Sequence, residues 1–410
     1  MDTENMYGRG ARLRLIVTAI VTPLILCGAG AAQAQAALEF FGWAQADYIQ
    51  DFNRVDPAWD STLRPSKIAV PEGQFGSNGQ AIVSVKQSRF GVKGTQPVEG
   101  GEEITFKFDF DLFGTGNNAG LTTFRLQNAY AEWHHILAGQ TDTNFMDASI
   151  FPDTIDYWGP AGMVYVRTPQ LRWTLLSGPE TFAIALETPN NDIDVGQARE
   201  LDPGIADNIQ DDSKVPDFTA RYRSEQDWGH VQIAGILRRL GYDTRGTPGN
   251  EPSGHQTGWG LNLTSNIKAI GDDMVHLGVV YGNGVASYMN DGGVDMAPEC
   301  SIDPAGGCVP GTVRAKAVPL LGVTAYYDHY WPNKLSTAFG YSETRVDNET
   351  GQAGSAFKSG QYASVNVLWR PVKNIMMGAE GLWGRRTNYD GQSGKDTRIQ
   401  FSVQYKFSSK

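Results

Sequence analysis

The chain has 410 residues, with 34 basic against 45 acidic side chains and a formal net charge of −11. Such acidity argues against nucleic acid as a partner, because binding a polyanion needs a cationic surface. Glycine is abundant at 48 residues and aromatics reach 11%, a composition that suits a membrane barrel, in which only every second residue need be apolar.

Arg9, Arg12 and Arg14 precede an apolar stretch at 15–26, broken by Thr18, Thr22 and Pro23. Ala32-Gln33-Ala34 then gives the small-x-small pattern of a cleavage site. This order predicts a secretory signal peptide over 1–34, too short in its apolar part to span a bilayer. Cys27 leaves with it, and Leu26 before it is too large for lipoprotein processing. The mature chain, 35–410, then has a charge of about −12 and keeps two cysteines, Cys300 and Cys308, in a Pro/Gly-rich segment. In an exported protein these read as one loop disulfide.

Period-two alternation runs through the mature chain. A strand-like run at 40–49 begins almost directly after the signal. Ile104, Phe106, Phe108, Phe110 and Leu112 alternate with Glu103, Thr105, Lys107, Asp109 and Asp111. Phe218, Ala220 and Tyr222 alternate with Thr219, Arg221 and Arg223; Val231, Ile233 and Leu237 oppose Gln232 and Arg238. Trp259, Leu261 and Leu263 oppose Asn262 and Thr264. The C-terminus is cleanest: Ile399, Phe401, Val403, Tyr405 and Phe407 against Arg398, Gln400, Ser402, Gln404 and Lys406. A strand in lipid needs an apolar outer face and partners for every backbone group, so the sheet must close. A charged inner face means water inside, hence a wide, porin-sized, all-β transmembrane antiparallel barrel. Short turns are expected at 177–180, 226–229 and 371–374, and long loops at 52–79, 142–162, 190–216, 242–257 and 283–310.

Several ordered blocks carry a family resemblance. They are Ser88-Arg89-Phe90-Gly91-Val92-Lys93-Gly94, Phe124-Arg125-Leu126-Gln127-Asn128-Ala129-Tyr130, Leu137-Ala138-Gly139-Gln140-Thr141, Trp158-Gly159-Pro160-Ala161-Gly162 and Arg167-Thr168-Pro169-Gln170-Leu171-Arg172. Gly258-Trp259-Gly260-Leu261-Asn262-Leu263, Val280-Tyr281-Gly282-Asn283-Gly284, Val318-Pro319-Leu320-Leu321 and Gly384-Arg385-Arg386 follow. Together they resemble the DcaP-like outer-membrane porins. The resemblance implies a 16-stranded barrel with one loop folded into the channel, a homotrimer among outer-membrane lipids, and passage of small hydrophilic solutes, anionic ones such as dicarboxylates above all. Some relatives carry an N-terminal helical extension; the early strand here makes a trimer held by an N-terminal coiled coil unexpected and leaves one through the barrel wall open.

Alternation assigns lumen-facing cations: Arg89, Lys93, Arg125, Arg167, Arg172, Arg221, Arg223, Arg238, Arg370, Arg386 and Arg398. Arginine suits a carboxylate filter, being always charged and able to donate two parallel N–H bonds. The segment 142–162 is the expected constriction loop, with Asp142, Asp147, Asp153 and Asp156 setting a transverse field against the basic wall. Asn128 and Glu132 fall on the side of Phe124 and Leu126, which marks either a subunit interface or a β-bulge. No metal or cofactor is expected: His134-His135 point to opposite faces of a strand, and Asn290-Asp291-Gly292-Gly293-Val294-Asp295 lacks calcium-loop spacing. There is no phosphate loop and no nucleophile elbow. The expectation is a passive porin, not an enzyme; a barrel enzyme and a general or cation-preferring porin are the alternatives.

Overall fold

The computed structural model describes residues 36–201, 204, 208–245 and 253–410. The predicted signal peptide, with Cys27, lies outside the described residues. Sixteen antiparallel strands close into a barrel. They are β1 (Ala37–Asp51), β2 (Gln80–Ser84, resumed after a break as Arg89–Pro97), β3 (Glu103–Phe113), β4 (Thr122–Trp133), β5 (Ile136–Asp142), β6 (Arg167–Leu176), β7 (Glu180–Glu187) and β8 (Asp217–Gln226). The second half comprises β9 (Gly229–Asp243), β10 (Ser253–Lys268), β11 (Met274–Asn283), β12 (Pro319–Trp331), β13 (Leu335–Val346), β14 (Phe357–Trp369), β15 (Ile375–Asn388) and β16 (Ser393–Ser408). The ring closes where β16 pairs with β1, from Phe41↔Ser408 to Asp51↔Arg398.

The faces sort as hydrophobicity requires. On β16, Phe401, Val403 and Tyr405 are about half exposed on the outside (51, 50 and 53%), whereas Gln400 and Ser402 are buried inside at 0 and 3%. Trp133, Trp331, Trp369 and Tyr405 sit outward near the short-turn end, where amphipathic rings prefer the headgroup boundary. All three expected short turns are turns, and all five expected loops lie at the opposite end. Strands run further than expected around the fourth of these loops, since β9 reaches Asp243 and β10 starts at Ser253. His134 and His135 form the two-residue turn between β4 and β5 rather than lying in a strand, and His134 adopts a positive φ of 52°.

At Asn128 the bulge is what the structure contains. Asp109 pairs with Asn128 but Phe110 pairs with Leu126, so Gln127 is the extra residue. The slip turns both Gln127 and Asn128 inward, each 3% exposed, and Asn128 exchanges hydrogen bonds with Asp109 (2.7 Å) and Thr141 (2.8 Å). A one-residue slip reverses every side chain beyond it, which removes Asn128 from the outer surface.

Strands β5 to β7 are short, with 7, 10 and 8 residues. Above Ala129↔Gln140 no strand pairs with β4 on the β5 side, so the wall is low there. The Gln140 amide reaches across to the Leu126 carbonyl at 3.2 Å.

Candidate functional site

Among the described residues, the loops 143–166, 52–79 and 284–318 fold into the barrel. The segment 143–166 crosses the lumen and is tied to the wall along its course. Asn262 on β10 donates to the Phe145 carbonyl (2.9 Å), Asn366 on β14 to the Asp153 carbonyl (2.8 Å), and the Ile155 and Asp156 amides donate to Glu380 on β15 (2.8 and 2.9 Å). Its return passes so close to β12 and β13 that a Cβ on Gly162 would lie 2.2 Å from the Glu343 carbonyl oxygen and 2.5 Å from that of Val323. Only glycine fits such an approach. Phe145, Met146 and Val164 pack with Ile236, Val280 and Leu320, so part of the inward face is apolar because a loop docks on it. The second loop, 52–79, buries Val55, Leu63 and Ile68 against Tyr326, Tyr362 and Leu382. The third, 284–318, carries a hairpin of Met296–Glu299 and Arg314–Ala317 and the Cys300–Cys308 disulfide, with Cα atoms 5.6 Å apart.

The acids of the crossing loop are each taken up by partners on the barrel wall or a neighbouring loop. Asp147 accepts from Arg223 (2.9 Å), His230 (2.7 Å), Thr264 (2.7 Å) and the Ser149 amide (3.1 Å). Burial pushes its carboxyl up, but the His230, Ser149 and Thr264 hydrogen bonds outweigh burial and hold it well below the usual carboxylate range. Asp156 takes only neutral donors, from Thr62 (2.8 Å), the Leu63 and Gly159 amides and Tyr362 (3.1 Å), and burial pushes its carboxyl up. Asp153 pairs with Arg370 at 2.7 Å. Asp142, at the end of β5, pairs with Arg167 at 2.9 Å. These acids fasten the loop, Asp142 and Asp147 to Arg167 on β6 and Arg223 on β8, and Asp153 to Arg370 after β14.

A run of inward arginines lines β2 to β8. Arg89 pairs with Asp109, and Arg125 pairs with Asp111 at 2.6 Å while touching the Tyr157 hydroxyl. Arg167 also donates to Gln127 (2.5 Å) and Tyr165 (3.1 Å). Arg172 donates to Gln170 (2.9 Å) and the Asp142 carbonyl (2.5 Å). Arg172 and Arg221 flank the small inward residues Ala183 and Ala185 on β7, over which Asn144 of the crossing loop docks through the Ala183 carbonyl (3.0 Å). Among the described residues neither arginine has a carboxylate within ion-pair distance, and the Arg221 Nε has no acceptor. Arg223 is divided between Asp147 and Glu225 (2.5 Å).

The remaining predicted cations lie elsewhere on the inner face. Lys93 is at the short-turn mouth beside Glu39 (3.4 Å). Arg238 is sealed between Asp217 (2.9 Å) and Asp295 (3.0 Å), and Arg398 between Asp51 (3.0 Å) and Asp396 (2.6 Å), with loop carbonyls completing both shells. Arg386 fastens the 52–79 loop through the Ser66 carbonyl at 2.8 Å.

A cavity of about 630 Å³ opens between this wall and the loops, lined by Arg64, Arg125, Arg167, Trp59, Tyr157 and Trp158 among others. Arg64 lies over the rings of Trp59 (4.2 Å) and Trp158 (4.4 Å) and is held by Asp291 at 2.9 Å. Sequence reasoning missed Arg64. The available signal was the apolar content of 52–79, namely Val55, Trp59, Leu63 and Ile68, which is too high for a loop bathed in water. Asp291 and Asp295, weighed as calcium ligands, are taken up by guanidinium groups, and among the described residues no cluster of metal-ligating side chains occurs.

With this geometry in place, comparison with known proteins is direct. A model of the DcaP outer membrane protein family matches residues 29–294. The chain belongs to that family. The crystal structure of the outer membrane channel DcaP of Acinetobacter baumannii matches at a TM-score of 0.75 and 20% identity, covering 93% of this chain and 100% of that one. An anion-selective porin from Comamonas acidovorans matches at 0.57 and 8% identity, over 91% and 100%. OmpT of Vibrio cholerae in its trimer form matches at 0.52 and 12%, over 91% and 100%. None of the curated proteins matches the chain by sequence. This DcaP-family protein is therefore a porin of the outer membrane, and its family and fold are those of a channel rather than of an enzyme.

Proposed function

We propose that this DcaP-family porin passes small anionic solutes, dicarboxylates in particular, and prefers anions to cations. The observation that carries the reading is the wall pair Arg172 and Arg221, which among the described residues have no carboxylate within ion-pair distance, while the loop acids are taken up by partners of their own. Ions in a wet pore sort by the sign of the fixed charge they pass, and a dicarboxylate can move between guanidinium groups without a tight site. The likeness to an anion-selective porin supports the same reading. The functional chain begins after cleavage near residue 34 and forms one barrel.

The protein assembles as a homotrimer through the low wall of β5 to β7. Phe124 there is 74% exposed beside an unpaired strand edge, and backbone groups at membrane depth need partners. A trimeric form of a structural relative supports this. Liposome swelling tests the transport reading: vesicles holding the protein should admit succinate faster than a diamine of equal size. Equal rates, or faster diamine entry, would refute it.

A further inference from the structure

On the outer surface, at the long-loop end, the outward side chains of β15 and β16 change character within one step. Trp383, paired with Ala363, is one outward step beyond Gly381 and its partner Val365, which belong to the apolar band. The next outward residue is Arg385, and its direct partner across the strands is Lys395. Like charges directly opposite each other destabilise a sheet. Arg54, from the 52–79 loop, closes the third side of a pocket of about 460 Å³. Its Nη1 donates to the Ser77 carbonyl at 3.2 Å, and its Nε is buried with no acceptor. Glu72 also lines the pocket and accepts from Asn78 at 3.2 Å. Among the described residues none of the three cations has an ion-pair partner. Arg385 has the Ser393 hydroxyl at 3.1 Å.

We propose that this pocket binds a phosphate group of an anionic glycolipid in the outer leaflet. Its height fits, because the cations stand just beyond a tryptophan at the apolar boundary, where lipid phosphates lie. Its chemistry fits, because a phosphate accepts from two guanidinium groups and an ammonium at once and relieves the Arg385–Lys395 repulsion. Its orientation also fits, since Arg385 and Lys395 point away from the channel and toward the lipid, and Trp383 offers a ring to the lipid's apolar part.

The test is native mass spectrometry of the folded protein in detergent, offered bisphosphorylated lipid A or its fully dephosphorylated form. The wild type should retain the phosphorylated lipid and not the other, and millimolar inorganic phosphate should not displace it. R385S/K395S should lose retention about tenfold or more, and R385K should keep it. Heat-modifiable migration and unchanged conductance confirm that each variant is folded. Should the double variant fail to fold, protection of Lys395 in the wild-type protein from amine acylation by phosphorylated lipid A, and not by the dephosphorylated form, is the expected result. Equal retention of both lipids, undiminished retention by folded R385S/K395S, displacement by inorganic phosphate, or absence of that protection overturns the proposal.

Discussion

Replacing Asp147 with alanine should loosen the first arm of the crossing loop without unfolding the barrel. Asp147 is 3% exposed and receives Arg223, His230 and Thr264 from three neighbouring strands. A hydrogen bond to a charged group contributes about 1.5–3 kcal/mol. Breaking a buried pair and leaving its partner costs roughly 3–5 kcal/mol. The local loss should therefore be on the order of 4 kcal/mol, enough to free residues around 145–151. The far arm keeps its own ties at Asn366, Glu380 and Ser342. In planar bilayers, D147A should show open-channel noise and higher conductance, with heat-modifiable migration preserved. The pH dependence follows from the carboxyl held below its usual range. Such a group stabilises the loop fully above its unfolded value near 4, and the stability is lost only as pH falls through the lower, folded value. Wild-type conductance should therefore stay quiet from pH 7 down to about pH 4. Quiet, unchanged D147A channels at pH 7 would refute the reasoning.

D156N should be milder than D147N, because Asp156 meets only neutral donors and its raised carboxyl marks the charge as unfavourable there; channel noise of the two variants checks this. R172Q/R221Q should lower the anion-to-cation permeability ratio severalfold, since one charge at 4 Å in water is worth about 1 kcal/mol, roughly fivefold in local concentration; reversal potentials measure it. A cysteine at 128 should form no intersubunit crosslink, whereas one at 124 should crosslink. C300S/C308S should make the 284–318 loop more protease-sensitive, at a local cost of about 2–3 kcal/mol, without changing conductance.

Much of the barrel was legible because its physics is one-dimensional. Lipid outside and water inside impose period two, and β16 displays it over its whole apolar face. The bulge was legible as one of two readings, but its place at Gln127 was not, because a single extra residue leaves composition intact and changes only phase. Asn128 and Glu132 gave the hint, as polar residues where the unshifted phase puts lipid. The inward arginines were assigned by phase as well, but phase cannot say which ones meet an acid. Arg238 is enclosed by Asp217 on the next strand and Asp295 in a loop, and Arg398 by Asp396 on its own strand and Asp51 on the paired one, whereas Arg172 and Arg221 are not; the strand register and loop path decide this. The crossing loop was recognisable from its length, yet the direction of its acids depends on where the strands place Arg223, His230 and Arg370. The 52–79 segment read only as a long loop, because polar and turn residues are interspersed among its apolar side chains.

The most direct test of the central claim is the zero-current potential of the purified wild-type protein in a planar bilayer across a KCl gradient. The account predicts the sign of an anion-preferring channel, with succinate added to one side reducing the chloride current. A potential of the opposite sign would leave the porin in place but contradict the assignment of Arg172, Arg221 and their neighbours as its filter.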